Sequence, residues 1–101
     1  MNREVSRNLE FADFAIAQVL FGELNRNLNT VEQATGVSIH ARGNDLQIHG
    51  KSHTVELAVS LLEQLYELVG RGYPVFSQDI VFGLKVLESS PATRLEEIFL
   101  D

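Results

Sequence analysis

Residues 37–49 constrain the fold of this chain more than any other segment. Val37, Ile39 and Ala41 alternate with Ser38, His40 and Arg42; Gly43-Asn44 follows; then Leu46 and Ile48 alternate with Asp45, Gln47 and His49. A period of two on both arms, joined by a two-residue turn that begins with glycine, specifies a tight β-hairpin. In that register Ile39 faces Ile48 and Ala41 faces Leu46, and the polar residues share the other face. One face of the sheet is core and the other is wet, so helices can cover only one side.

The flanking segments supply the rest of the two layers. Arg3 to Leu9 reads as a short strand whose alternation breaks at Arg7. From Asp13 to Phe21 the spacing of Phe14, Ile16, Val19 and Leu20 turns helical, and Gly22 stops it. A second helix is expected from about Leu24 to Thr35, with Gly36 placed to end it in the left-handed conformation. Thr54 to Val69 carries the strongest stripe, through Val55, Ala58, Val59, Leu62, Leu65, Tyr66 and Val69. Gly70 to Pro74 ends that helix, and Ser77 is expected to cap a last one over roughly Gln78 to Glu88. The order strand, helix, helix, strand, strand, helix, plus an added helix, implies an α+β two-layer sandwich. Pro91 onward reads as a connector ending in an apolar Ile98-Phe99-Leu100 with no obvious partner.

Composition narrows the function classes. At 101 residues the chain is one domain's length, and 45% apolar residues suffice for one core. The absence of cysteine removes disulfides, thiolate zinc sites and thiol nucleophiles. No apolar run has a membrane helix's length, and no segment has the form of a signal peptide, so a cytoplasmic location is expected. Eight Lys and Arg against fourteen Asp and Glu leave a net charge of −6. Tight sequence-independent binding to a polyanion needs many cations on one surface, which this balance does not supply.

Several groupings could hide chemistry, and most read better as structure. Gly50-Lys51-Ser52 sits between a strand and a helix as the end of a P-loop would, but that motif needs a glycine at position 45, which is Asp45. His40 and His49 are diagonal neighbours on the polar hairpin face, with His53 beyond; no further ligand points to a metal. Glu56, Glu63 and Glu67 fit the solvated side of a helix better than an acid–base pair. No catalytic grouping emerges, so an independent enzyme is not expected, and no metal or cofactor is expected in this segment.

The turn Gly22-Glu23-Leu24-Asn25, followed by Arg26, reads in two ways. It is a plain structural turn, or it is a clamp that lets a nucleic-acid backbone approach the amino end of the second helix. Glycine removes the side chain that would block such an approach. Glu23 opposes it, because two like charges about 4 Å apart in water cost about 1 kcal/mol. Arg26, Arg42 and Lys51 are the cations expected near that groove, with the far side of the sheet as the alternative for Arg42.

Leu20-Phe21-Gly22-Glu23 through Leu28, Gly36-Val37-Ser38-Ile39-His40-Ala41-Arg42-Gly43-Asn44 and Ile48-His49-Gly50 resemble the amino-terminal domain of PhoH-like proteins. Leu61-Leu62-Glu63-Gln64-Leu65-Tyr66-Glu67-Leu68 and Gly72-Tyr73-Pro74 extend the resemblance over about Glu4 to Glu88. It implies a KH-like domain over residues 1–88. Residues 89–101 would then be a connector toward a missing C-terminal P-loop ATPase domain related to helicases, which would hold ATP and Mg. It also implies a cytoplasmic protein named for phosphate starvation, of which this chain is a fragment without catalytic residues. The site it implies is the turn Gly22, Glu23, Leu24, Asn25 and Arg26, binding RNA or single-stranded nucleic acid weakly for the ATPase. The sequence departs from the RNA-binding KH pattern in having Asn25 where that pattern ends in glycine, and in a loop of only Gly43-Asn44 between the hairpin strands. The rival expectation is an interaction module that packs on the ATPase domain, or forms a homo-oligomer, with no nucleic acid.

Overall fold

A computed structural model describes residues 3–100. Its elements are β1 (Glu4–Glu10), α1 (Phe14–Phe21), a 3₁₀ turn (Glu23–Asn25), α2 (Arg26–Thr35), β2 (Ser38–Arg42), β3 (Asp45–Lys51), α3 (Ser52–Gly70), α4 (Ser77–Ser89) and α5 (Leu95–Phe99). The sheet order is β1-β3-β2 with both pairings antiparallel, and the helices pack on one face. This is the α+β two-layer sandwich expected from the alternation, in the expected KH-like order, followed by two further helices, α4 and α5, where one was expected.

The hairpin register is as the period of two requires: Ile39 opposite Ile48, Ala41 opposite Leu46, Arg42 opposite Asp45. Leu46 and Ile48 are buried beneath the helices, whereas Ala41, out on the edge strand, is exposed. Gly43 takes φ +62°, the conformation that a turn beginning with glycine uses. Phe11 and Asn44 tie the turn to the loop after β1: the Phe11 N–H donates to the Asn44 carbonyl at 3.1 Å, and the Asn44 amide donates back to the Phe11 carbonyl.

The break at Arg7 has a physical cause. Arg7 lies on the inner, helix-side face of β1, opposite Ile48, where an apolar residue would be expected. Its guanidinium reaches out of that face to Glu56 of α3 at 2.6 Å. The Glu56 carboxylate, through the hydrogen bond and then through its charge, raises the Arg7 pKa further above its ordinary value. Glu56 therefore anchors an edge strand, a role not visible in its place on the polar stripe of α3.

α3 is the spine of the helical layer. Val55, Ala58, Val59, Leu61, Leu62, Leu65 and Leu68 are all buried on it. The stripe on α1 differs from the expected one: Ala17, Leu20 and Phe21 are buried, while Phe14 and Val19 face outward. Phe11, outside any element, fills the space beside them and stacks on Tyr66 with ring centroids 4.6 Å apart. α4 begins at Ser77, so Ser77 is its first helical residue and not its cap. The cap contact comes from Asp79, whose carboxylate accepts the Phe76 N–H at 2.9 Å. A carboxylate three residues into a helix reaches back to the free donor that precedes it, and it suits the positive end of the helix dipole.

Pro91 onward folds back instead of running free. Leu95 is fully buried, its N–H donating to Gln64 of α3 at 2.7 Å, and Arg71 and Arg94 both engage Glu96. Phe99, which had no evident partner in the sequence, lies against Tyr73 and Phe82. No helix among the described residues is long and apolar enough to cross a membrane.

Candidate nucleic-acid interface

The turn between α1 and α2 is the most unusual backbone of the described residues. Asp13 starts α1 by accepting the Ile16 N–H at 3.0 Å, and the Gly22 N–H closes it on the Gln18 carbonyl at 3.1 Å. Gly22 then takes φ +82°, and an added Cβ would come within 3.1 Å of the Asn27 amide nitrogen. Both its backbone angle and its surroundings call for glycine.

Leu24 and Asn25 follow at φ +55° and +58°, the only residues other than glycine with positive φ among those described. The second helix therefore starts at Arg26, two residues later than the apolar spacing suggested. Asn tolerates the left-handed region, but a leucine there costs about 1 kcal/mol or more. Leu24 is also 92% exposed, so burial of its side chain does not offset that strain.

The supports of the turn explain how it persists. The Asn25 N–H donates to the Gly22 carbonyl at 3.0 Å. Asn27, the buried polar residue of the core at 5% exposure, sends its amide to the Leu20 carbonyl at 2.8 Å. That bond satisfies a carbonyl left without an intrahelical partner at the end of α1, and it fastens the ends of the two helices together. Asn27 escaped the sequence reading because nothing in the polar run Asn25-Arg26-Asn27 marks which side chain turns inward.

The charge distribution at the turn is balanced. Arg26 lies 3.8 Å from Glu23, both largely exposed. Arg42 and Lys51, expected near the groove, belong by strand alternation to the outer face of the sheet, opposite Asp45 and Glu4 respectively. The structure thus brings Gly22, Glu23, Leu24, Asn25 and Arg26 together at one exposed corner and moves Arg42 and Lys51 away from it. Strand pleating decides this, because a residue's parity in the strand fixes its face.

Gly50 and Lys51 lie within β3, and α3 follows directly at Ser52, whose N–H donates to the Arg3 carbonyl at 2.7 Å. No loop intervenes to wrap a phosphate. An added Cβ on Gly50 would come within 3.2 Å of Val37, a packing reason for that glycine. On the outer sheet face Ser6 Oγ lies 2.8 Å from His49 Nδ1, and His49 Nε2 lies 3.2 Å from Glu4. This serine–histidine–carboxylate chain lies on an exposed strand surface whose N–H groups run in the sheet plane, so no backbone donors aim at a developing oxyanion there. Among the described residues no group of three or more histidines and carboxylates is arranged to hold a metal ion.

Comparison with known proteins gives two curated relatives. A PhoH-like protein of Bacillus subtilis (strain 168) is 22% identical over 95 residues, covering 94% of this chain and 29% of that protein. A PhoH-like protein of Mycobacterium leprae (strain TN) is 29% identical over 80 residues, covering 75% of this chain and 23% of that protein. The resemblance read from the motifs is borne out, and the chain spans between a fifth and a third of each relative's length. No family model matches the chain, and neither does any solved structure.

Proposed function

We propose, from the likeness to PhoH-like proteins, that this chain is a KH-like accessory domain of a longer P-loop ATPase. In this reading it contacts RNA or single-stranded nucleic acid weakly through Gly22, Glu23, Leu24, Asn25 and Arg26. ATP and Mg then belong to the ATPase domain elsewhere in the longer protein, and the protein works in the cytoplasm. The observation that carries this reading is the turn itself: a strained, exposed backbone held by buried contacts behind it. Strain kept at an exposed corner, with nothing of the core packed over it, favours a binding role over a packing role.

The expected affinity is low. Arg26 is the one cation of the turn, and Glu23 lies beside it. One or two phosphate contacts give a salt slope of about −0.7 to −1.4 for a single strand, and a Kd no tighter than roughly 10⁻⁵ M at physiological salt. Fluorescence anisotropy with a labelled single-stranded oligonucleotide tests this. Replacing Glu23→Lys together with Asn25→Gly should strengthen binding by removing the opposing charge and opening the backbone, since glycine accepts the left-handed angle freely. An affinity unmoved by the pair of substitutions would remove the turn from the reading.

A second reading has its own observation. Phe76 and Phe82 are exposed, and Phe82 extends the ring cluster of Tyr73 and Phe99 at the α4–α5 end. Such a patch favours an interaction module that packs on the ATPase domain or on sister subunits without nucleic acid. Loss of a domain–domain contact on Phe82→Ser, with oligonucleotide binding absent, would favour it.

A further inference from the structure

β2 is an edge strand, bonded to β3 on one side and, among the described residues, to no strand on the other. The tight turn makes Arg42 and Asp45 the closing pair, so Ser38, His40 and Arg42 exchange hydrogen bonds with β3. Ile39 and Ala41 aim their N–H and C=O groups outward. One of these outward donors is already engaged: the Ile39 N–H donates to Glu32 Oε2, reaching across from α2, at 2.8 Å. Among the described residues no other strand N–H has a side-chain partner.

We propose that the outer edge of β2 is a strand-pairing surface for a second copy of this chain, and that Glu32 is the clip that must release for the two edges to join. The register supports a second copy. An antiparallel pairing centred on His40 sets outward Ile39 against outward Ala41 of the other copy, so that every free donor meets a free acceptor. Ser38 then faces Arg42, and His40 faces His40; no carboxylates oppose each other and no guanidiniums do. Exposed Ala41 and half-buried Ile39 become covered on the helix side.

The Arg7-centred pairing of the other free edge is disfavoured. Centring two copies of β1 on Arg7 sets Arg7 against Arg7 and Glu4 against Glu10, and like charges directly opposite each other are destabilising. A nucleic acid is the less favoured occupant of the β2 edge, because the Glu32 carboxylate stands where a polyanion would approach. A second copy brings only neutral backbone groups to the same positions.

The clip sets the affinity. A carboxylate accepting a backbone N–H is a charge-assisted bond, stronger than the neutral strand bond that replaces it. Two clips open in each dimer, so their removal should tighten dimerisation by at least about tenfold. Sedimentation equilibrium on the unmodified chain, on Glu32→Ala, and on Glu32→Ala with Ala41→Pro measures this. Proline at position 41 removes an outward donor and leaves the β2–β3 ladder intact. Amide exchange on Glu32→Ala, at low and high protein concentration, reports the edge without the proline. The expected result is a dimer strengthened by Glu32→Ala and lost with Ala41→Pro, with protection of the Ala41 amide rising with concentration. A Glu32→Ala variant no more dimeric than the unmodified chain would overturn the proposal. So would a dimer whose Ala41 amide stays unprotected, or edge protection brought about by single-stranded RNA and not by protein concentration.

Discussion

Replacing Asn27 by aspartate tests how the turn between α1 and α2 is held, with almost no change in shape. Asn27 is 5% exposed and gives its amide to the Leu20 carbonyl at 2.8 Å. An ionised carboxylate in its place would have no donor there. The lost bond is worth about 1 kcal/mol, and the carbonyl left facing a carboxylate adds about 1–3 kcal/mol for an unsatisfied buried group. The helix dipole works the other way, since a negative charge in the first turn of α2 gains about 0.5–1 kcal/mol. The lost donor wins, and Asn27→Asp should cost about 2 kcal/mol. With a urea slope of about 1–3 kcal/mol/M for a small domain, the unfolding midpoint should fall by about 1 M with the slope unchanged. The pH dependence has a definite sign. The folded site disfavours the charged form, so the pKa of the new carboxyl lies above its unfolded value. Its neutral form can donate to Leu20, and the deficit relative to the unmodified chain should therefore shrink as pH falls toward about 4. A midpoint within about 0.3 M of the unmodified one, or a deficit that grows on acidification, would refute the account of Asn27 as the fastener of the turn.

Leu62, fully buried at the middle of α3, should lose about 2–5 kcal/mol on truncation to alanine, read as a urea midpoint; a loss under about 1 kcal/mol would mean that the face of α3 is misjudged. Gly43 at φ +62° has open space around its missing Cβ, so Gly43→Val tests backbone strain alone. A melting temperature lower by several degrees is expected, about 1–2 kcal/mol of strain, and an unchanged one would contradict the turn geometry.

Periodicity and turn chemistry made much of the fold legible in advance. The alternation in residues 37–49 fixed the hairpin register and the wet outer face, because a slip of one residue would have turned Leu46 and Ile48 to solvent. The stripe on α3 and the stop at Gly36 were equally local, since helix spacing and a left-handed glycine depend on near neighbours alone. Tertiary structure decided what those local rules could not. Arg7 sits on the core face because Glu56, forty-nine residues away, waits at the rim to receive it. Leu24 and Asn25 stay left-handed because Asn27 and Gly22 pack behind them, and no propensity of leucine would have suggested it. Phe99 found its partners only once α5 folded back onto Tyr73 and Phe82. Glu32 reached β2 because the end of α2 happens to lie along an edge that the strand order leaves open. Patterns of two and of 3.6 report which way a side chain faces within its own element. They carry nothing about which distant group will be there to meet it, and the candidate site and the edge clip are both made of such meetings.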